Sequence, residues 1–238
     1  MGDVRLDFEE GYSSVNIEGK CIGRIEYLTD PYHNSHYYLK LQLQYYDIGV
    51  AKKIFDLLSE KLDKPMQVMI SSEEECVVSF IQAAGFVCRR KCYEIEAFDQ
   101  DYIGRMTKER LPLAMIGNDA YEDCCEMMLN RYISTHKAIN PWTGTKEDFF
   151  KRLPKTVFYE MDNDKIKSFA FVEENEIAYV CGVDRVAFLL FAKNLLTELF
   201  RQNETVVFEA DDCDEYAMEL KTLFTNQPEK SFDTYVLK

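Results

Sequence analysis

The sequence predicts an α+β fold, in which a mixed, mostly antiparallel sheet is flanked by helices, and it predicts that this arrangement occurs twice. Within residues 13–98, the strand-like and helix-like stretches follow one another as three strands, a helix, a strand, a helix and a strand. Residues 155–238 repeat that order without obvious residue identity, which indicates an internal duplication. Because a strand–helix–strand crossover makes its two strands parallel, each half is expected to contain a mixed sheet.

The elements of the first half follow from the spacing of apolar residues. Residues 13–28 form the two arms of a hairpin that turns at Glu18-Gly19-Lys20, and residues 36–43 alternate as a third strand. The next segment places its apolar residues at the i, i+3, i+4 spacing of one helix face. These residues are Ala51, Ile54, Phe55, Leu58 and Leu62. The half continues with a strand at 66–71, a second helix that ends at Gly85, and a strand at 90–98.

The second half begins with elements that have no counterpart in the first. Residues 111–117 are predicted as a strand, and residues 119–138 and 145–153 as two helices. The repeated order follows them, with strands at 155–162, 166–173 and 176–183, a very apolar helix at 185–200, a strand at 204–210, a helix at 214–224 and a strand at 231–238. The sequence therefore predicts an N-terminal domain of residues 1–98 and a C-terminal domain of residues 99–238.

Composition argues against several classes of partner. The net charge is −14, with 42 acidic and 28 basic residues, whereas nucleic acids and anionic membranes need a clustered positive surface. The apolar runs are short, such as residues 186–192, so no membrane-spanning helix is expected. The first ten residues are acidic and lack the features of a signal peptide, so a cytoplasmic protein is expected.

Cysteine and histidine do not form a recognisable metal site, and none is predicted. The eight cysteines contain no CxxC pair, and the pair Cys88 and Cys92 has no matching ligand pair downstream. The three histidines are too sparse to build a site. Buried free thiols in a reducing compartment are the expectation.

The element order and three local stretches resemble the GCN5-related N-acetyltransferase (GNAT) superfamily, with two such folds in tandem. The stretches are LQLQYYDIGVAKKIFDLL, EEECVVSFIQAAGF and RKCYEIEAF, all in the first half. The resemblance implies two acyl-CoA N-acyltransferase-like domains. The first of them lacks the two helices that follow the first strand in this family, and the second retains them.

The resemblance implies that acetyl-CoA binds in the first half. In this family the strand before the cofactor loop splays from its neighbour, and a loop of the pattern Q/R-x-x-G-x-G/A wraps the pyrophosphate with backbone N–H groups. Gly49 and Ala51 match the G-x-A part, whereas Tyr46 stands where glutamine or arginine is expected. The implied cofactor-binding residues are Leu43, Gln44, Tyr46, Ile48, Gly49, Val50, Ala51 and Lys52, with Lys53 as a further phosphate ligand. The alternative is a simple strand–helix turn.

The corresponding stretch of the second half, GVDRVAFLLFAKNL, has lost the loop pattern. Val186, Phe188 and Leu189 stand where small residues would admit phosphates. This half is therefore not expected to bind CoA in the family's manner. Its phenylalanine and leucine stripe is interpreted as core or as an interface between domains.

The resemblance leaves the catalytic groups weakly defined. The tyrosine that often protonates the leaving thiolate in this family is replaced by Ile81. Glu26 and Tyr38 are the candidate catalytic residues of the first half, although surface roles remain open for both. Glu176 and Tyr179 occupy positions where relatives carry bases, but no cofactor loop lies beside them.

Two functions remain open. The first is transfer of an acyl group from acetyl-CoA to a small-molecule or peptide amine by direct attack on the thioester; the second is a non-catalytic GNAT-like module that binds a ligand or a protein. Tyr132, His136 and Trp142 either shape an acceptor groove or pack their own helix–turn–helix. The amine is not identified, and a homodimer is left open.

Overall fold

The computed structural model describes residues 3–238, which form two compact units that are each discontinuous in sequence. Unit 1 comprises residues up to Lys91 together with residues 137–144 and 230–238. Unit 2 comprises residues 92–136 and 145–229. The sequence predicts a single boundary after residue 98. In the structure, residues 92–98 belong to unit 2, and residues 137–144 and 230–238 belong to unit 1.

Unit 1 contains a six-stranded sheet in the order β1-β2-β3-β4-β5-β12. The strands are β1 (Val4–Glu9), β2 (Tyr12–Ile17), β3 (Lys20–Asp30), β4 (His33–Leu43), β5 (Met66–Ser71) and β12 (Phe232–Leu237). All neighbours are antiparallel except β4 and β5, which are parallel. Helices α1 (Ile48–Lys61) and α2 (Glu75–Ala83) flank this sheet.

The predicted hairpin of unit 1 is confirmed, and the sheet begins one strand earlier than predicted. Glu18 and Gly19 have φ values of 51° and 78°, the positive pair that a tight turn between right-twisted strands requires. Strand β1 pairs with β2 along its whole length and joins it through a short turn at Gly11. Its apolar residues Val4 and Leu6 face the core, but charged residues, basic Arg5 between them and acidic Asp7 and Glu9 after them, hide the alternation.

The core of unit 1 lies between one face of the sheet and the two helices. Helix α1 buries Val50, Ala51, Ile54, Phe55 and Leu58, which is the predicted face with Val50 in place of Leu62. From the sheet, Ile25, Leu39, Val68, Ile70 and Tyr235 join the same cluster. Burying these side chains supplies most of the stabilisation of the unit, at about 1.5–3 kcal/mol for each large one.

Unit 2 contains six strands that neighbour one another in the order β6-β11-β10-β9-β8-β7, with β6 entering it at Cys92. The elements along the chain are β6 (Val87–Phe98), β7 (Leu113–Met115), α3 (Asp119–His136), α4 (Lys146–Phe150), β8 (Thr156–Asp162), β9 (Lys165–Glu173), β10 (Glu176–Gly182), α5 (Arg185–Phe200), β11 (Thr205–Asp211) and α6 (Glu215–Lys221). Only β10 and β11 are parallel, and residues 92–98 of β6 pair with β11. The predicted α+β class is therefore confirmed.

Helix α5 is the centre of unit 2. It buries apolar residues on most of its circumference, including Phe188, Phe191, Leu195 and Leu196, all completely inaccessible. The polar residue Thr197 is buried as well, and its hydroxyl accepts the backbone N–H of Thr107 at 3.1 Å. The apolar character that the sequence shows in this helix is thus accounted for by the core.

We predict that Gly23 is required for the fold of unit 1. Its φ of 137° is a conformation that only glycine adopts readily, and a Cβ there would collide with the backbone carbonyl of Gln42 on β4. Gly23→Ala should lower the free energy of unfolding by about 3 kcal/mol in chemical denaturation. Gly11→Ala is the control, because Gly11 also has a positive φ but open space around it, and it should cost about 1 kcal/mol. Equal costs would contradict this account.

We also predict that Tyr235 makes the stability of the protein sensitive to alkaline pH. Burial, reinforced by the neighbouring Asp233 carboxylate, raises the Tyr235 pKa from 10.0 to about 12. Between these values the unfolded chain releases the proton and the folded chain retains it, so stability falls as the pH rises. Tyr235→Phe should remove about 1 kcal/mol of the stability loss measured between pH 9 and pH 11. An identical loss in both proteins would exclude the assignment.

Candidate functional site

The parallel strands β4 and β5 are paired over a very short distance. Their register contains only Tyr37 with Met66 and Tyr38 with Gln67, after which no pairing between them is found in the described part of unit 1. Strand β4 continues to Leu43 with β3 on its other side, and β5 continues to Ser71 with β12 on its other side. An opening between the two strands therefore begins beyond Tyr38, and we call it the β4–β5 opening.

The backbone of β4 presents polar groups to this opening. The N–H of Tyr37 donates to Pro65 at the start of β5, whereas the N–H of Gln44 donates to Ile22 of β3, each at 2.8 Å. Since backbone groups alternate along a strand, the N–H and C=O of Leu39, Leu41 and Leu43 point towards the opening. The Leu43 carbonyl thus faces the opening as expected, whereas the Leu43 N–H hydrogen-bonds the Tyr46 hydroxyl and the amide of Gln44 is already used by β3.

Helix α1 begins at the mouth of the opening, and Asp47 caps it. The Asp47 side chain accepts the N–H of Gly49 at 2.8 Å, and its carbonyl accepts the N–H of Val50 at 3.2 Å. Gly49 does not have the positive φ that would require glycine, and a Cβ there would approach only the Asp47 carboxylate, at 3.2 Å. Neither backbone strain nor packing explains the glycine, so the space in front of it is available to a ligand.

Tyr46 packs inwards instead of facing a phosphate. Its ring meets Phe80 of α2 edge-on at 5.4 Å, and its hydroxyl donates to the Leu41 carbonyl at 3.4 Å. Burial raises the pKa of Tyr46, and the nearby Glu74 carboxylate adds to that rise. The residue that departs from the family pattern thus occupies one of the backbone acceptors of the opening.

The remaining residues of the loop divide between core and solvent. Val50 and Ala51 are buried, whereas Ile48 is 61% exposed. Lys52 forms an ion pair with Asp56 at 2.7 Å, and Lys53 is exposed on the same helix. A phosphate at the start of α1 would therefore meet the carboxylate of Asp47, and Lys52 is already paired with Asp56.

A polar cluster lies on the opposite face of the sheet, where β4 and β5 separate. Tyr38 and Gln67 form the last register pair, so their side chains project from the same face. Glu26 on β3 projects from that face too, opposite Lys40, and its carboxylate pairs with Arg24 at 2.7 Å. The structure therefore brings the two candidate catalytic residues, Glu26 and Tyr38, to one face.

Residues 137–144 bring Asn140 to this cluster, which the sequence does not predict. Burial is the largest effect and raises the pKa of Tyr38, whereas hydrogen bonds from the Asn140 and Gln67 side chains to its hydroxyl lower that pKa. The Asp30 carboxylate raises this pKa and the Arg90 guanidinium lowers it. Gln67 is a polar residue in an otherwise apolar strand, and that is the one signal by which the sequence could have revealed the cluster.

The position of the expected thiolate acid is part of the core. Ile81 on α2 is completely buried in the apolar cluster of unit 1. A polar side chain there would lose its packing against the sheet, so α2 supplies no acid from this position.

Unit 2 also contains two parallel strands that pair over a short distance, but large side chains occupy the space beside them. Strands β10 and β11 pair only through Glu176 with Val207 and Ile177 with Phe208, and a bulge follows in β10. Behind the bulge, however, a Cβ at Gly182 would lie 3.0 Å from both Phe188 and Tyr216.

These two aromatic residues close the β10–β11 opening. The rings of Phe188 and Tyr216 are 4.9 Å apart, and the Arg131 guanidinium lies 4.9 Å from the centre of the Tyr216 ring. Arg131 is held by Asp214 at 2.8 Å and by Glu215 at 3.0 Å. Phe188 and Tyr216 thus fill the space beside Gly182, whereas Val186, which the sequence places with Phe188 among the bulky residues, is 79% exposed.

The other aromatic candidates lie in separate units. Tyr132 stacks on the buried His136 at 3.8 Å and contacts Phe149 of α4, all within unit 2. Trp142 belongs to unit 1, where it stacks on Tyr32 at 5.2 Å. Tyr179 lies near Phe149, and burial raises its pKa, while Glu176 is exposed.

The described residues 3–238 contain no cluster of three or more His, Cys, Asp and Glu side chains that could hold a metal ion. Within the same range, no helix is both long and apolar enough to cross a bilayer. Among the cysteines, Cys92, Cys124, Cys125 and Cys181 are buried, but Cys21 and Cys76 are exposed. The expectation that the thiols are buried is therefore wrong for these two, which lie on a hairpin strand and on the outer face of α2.

Comparison with known proteins identifies the fold. No protein-family model and no curated protein matches the sequence. Among solved structures, a GCN5-related N-acetyltransferase from Sphaerobacter thermophilus superposes with a TM-score of 0.52 at 11% identity, over 98% of this chain and 82% of that one. A probable N-acyltransferase from Enterococcus faecalis gives a TM-score of 0.48 at 11% identity, over 94% of this chain and 61% of that one. A GCN5-related N-acetyltransferase from Anabaena variabilis gives 0.47 at 12% identity, over 95% and 62%.

This chain thus spans about 60% of the length of the second and third of these proteins and most of the first. At 11% identity the Sphaerobacter structure shows the fold: the chain has the fold of the GNAT superfamily. The predicted resemblance is confirmed at that level.

Proposed function

We propose that the protein is an acyl-CoA-dependent N-acyltransferase whose cofactor site lies in unit 1. The observation that carries this proposal is the β4–β5 opening, lined by the backbone of Leu39, Leu41 and Leu43 and ending at the N-terminus of α1. Backbone N–H and C=O groups at an unpaired strand edge bind an amide-containing chain such as pantetheine. The amides at the start of α1, with Gly49 leaving space, suit its pyrophosphate.

Two residues on the other face of the sheet, Tyr38 and Glu26, suit different roles in proton transfer. A tyrosine is protonated at neutral pH, and burial raises the pKa of Tyr38 further, so its hydroxyl can donate a hydrogen bond or a proton. Glu26, held by Arg24, is the carboxylate that can accept a proton from an attacking amine, directly or through water. The amine nitrogen attacks the thioester carbon, the C–S bond breaks, and the proton lost by the amine balances the thiolate that leaves.

A second candidate function is a non-catalytic module that binds acyl-CoA or another ligand without turnover. It is favoured by Ile81 in place of an acid, and by Asp47, whose carboxylate occupies the Gly49 amide. The cytoplasm remains the proposed compartment under both functions. It is supported by the buried, reduced thiols of Cys124, Cys125 and Cys181, since a reducing environment preserves such thiols.

The first prediction concerns the cofactor. Isothermal titration with acetyl-CoA should detect binding, and Gly49→Glu should weaken it about tenfold, because the added carboxylate enters the space kept for phosphate. The matched control is Val186→Glu. Val186 is the second residue of α5, as Gly49 is of α1, and it is 79% exposed.

The control should leave binding unchanged, because the opening of unit 2 is closed. Release of free thiol from acetyl-CoA with a panel of primary amines then separates the two candidate functions: turnover supports the transferase and binding alone the module. Absence of binding at millimolar acetyl-CoA would exclude the transferase and would also exclude a module that binds acyl-CoA.

The second prediction concerns Asp47. Asp47→Asn preserves a capping side chain and removes the negative charge beside the Gly49 amide. It should strengthen acetyl-CoA binding about fivefold at low salt, and less at high salt. Asp184→Asn, at the same capping position of α5, is the matched control and should have no effect. Weaker binding to Asp47→Asn would show that the phosphates lie elsewhere.

A further inference from the structure

Two backbone groups on the β4 side of the opening are occupied by a side chain of the same unit. The Tyr46 hydroxyl donates to the Leu41 carbonyl at 3.4 Å, and it accepts a hydrogen bond from the Leu43 N–H. Leu41 and Leu43 are alternate residues of β4, so both groups lie on the edge that faces away from β3. One side-chain atom thus satisfies a donor and an acceptor of a strand edge that β5 leaves unpaired.

In a parallel sheet, such a pair of groups is bound by the neighbouring strand. One residue of that strand donates its N–H to a carbonyl, and its C=O accepts the N–H that lies two residues further on. Strand β5 would supply these groups if its pairing with β4 continued, but the register ends at Tyr38 with Gln67. Tyr46 therefore takes the place of a strand partner at the point where the proposed function puts the pantetheine.

The ring of Tyr46 occupies space between this strand edge and α2. It meets the Phe80 ring edge-on at 5.4 Å, and it is half-buried at the border of the apolar core of unit 1. A ligand that approaches the Leu41 carbonyl and the Leu43 N–H would collide with this ring and would compete with its hydroxyl. The ligand and Tyr46 therefore cannot use this part of the edge at the same time.

The Tyr46 side chain is held weakly enough to be displaced. Its 3.4 Å separation from the Leu41 carbonyl oxygen is longer than the roughly 2.7–2.8 Å that is typical of a hydroxyl donor. Tyr46 lies in the short segment between the end of β4 and the start of α1, and its neighbours Tyr45 and Asp47 are exposed. The side chain can therefore turn towards solvent while β4 and α1 keep their hydrogen bonds.

We propose that Tyr46 closes the β4–β5 opening in the free protein, and that a ligand enters by displacing the Tyr46 hydroxyl from Leu41 and Leu43. The ligand must carry an N–H for the Leu41 carbonyl and a C=O for the Leu43 amide, because a chain without them would leave both groups unpaired. That this ligand is acyl-CoA rests on the proposed function. Tyr46 then determines specificity and affinity at the binding step, and it takes no part in the chemical step.

The test compares two variants that each lose one tyrosine hydroxyl. Tyr46→Phe keeps the ring beside Phe80 and removes the competing hydroxyl. Tyr37→Phe is the matched control, because the Tyr37 hydroxyl donates to Asp63 at 3.2 Å and lies outside the opening. Three quantities are measured on the full-length protein: the affinity for acetyl-CoA by isothermal titration, the hydrogen exchange of the Leu43 amide without ligand, and the NMR signals of ¹³Cζ-labelled tyrosines during the titration.

We expect Tyr46→Phe to bind acetyl-CoA about fivefold more tightly than the parent, because the ligand no longer has to replace the hydrogen bonds of the hydroxyl. Tyr37→Phe should bind as the parent does. In the free protein, Tyr46→Phe should accelerate exchange of the Leu43 amide about tenfold, while unchanged exchange at the buried Ile54 of α1 shows that the variant remains folded. In the parent, acetyl-CoA should shift the Tyr46 signal and leave the Tyr37 signal in place.

Three results would overturn the inference and leave the proposed function standing. They are equal affinity of Tyr46→Phe and the parent, unchanged exchange of the Leu43 amide, and a Tyr46 signal that does not move when acetyl-CoA binds. Absence of acetyl-CoA binding by both the parent and Tyr46→Phe would instead remove the proposed function, and this inference with it. Binding by Tyr46→Phe alone would support both, because the opening of the parent would then be held closed by the hydroxyl.

Discussion

The constraint on which unit 1 depends is the short parallel contact between β4 and β5. Parallel strands need a crossover connection, and α1 supplies it by packing Ile54, Phe55 and Leu58 on the sheet. The two strands nevertheless remain paired for only two residues each. Two features of the site follow from this divergence. Backbone groups of β4 have no strand partner, and the N-terminus of α1 lies near the place where the strands separate.

The two units differ in what occupies the space where their parallel strands diverge. In unit 2, Phe188 and Tyr216 pack against Gly182 and fill the space that the divergence of β10 and β11 creates. The filling is itself fixed by Arg131 and its ion pairs to Asp214 and Glu215. Unit 1 has a glycine, Gly49, at the start of the crossover helix, and the Tyr46 hydroxyl contacts the β4 edge at the Leu41 carbonyl. Packing of Phe188 and Tyr216 stabilises unit 2, whereas unit 1 carries the free-energy cost of an unpaired strand edge. The proposed cofactor site would explain why unit 1 retains that edge.

Local pattern is sufficient for much of this fold and fails where pairing is distant in sequence. The face of α1 could be predicted because Ala51, Ile54 and Phe55 recur at helical spacing. The pairing of β12 with β5 could not be predicted, since nothing local to either strand identifies its partner. Asn140 joins Tyr38 across about a hundred residues, through a loop that no periodicity describes. The site residues that the sequence does reveal are those fixed by a local motif.

Charge gives a further indication of how unit 1 would hold an anionic cofactor. The protein carries a net charge of −14, and near the start of α1 the lysine Lys52 is already neutralised by Asp56, while Asp47 adds a negative charge. Long-range electrostatic attraction therefore does not favour the binding of a polyanion. Added salt would accordingly screen little favourable attraction between the protein and such a ligand. Binding energy has to come from the uncharged part of the cofactor, through the strand edge formed by Leu39, Leu41 and Leu43. In the proposed function, such a site would depend on the shape and hydrogen bonds of the pantetheine more than on its phosphates. The inward packing of Tyr46 against Leu41 would then influence affinity more than the absence of a glutamine or arginine at that position.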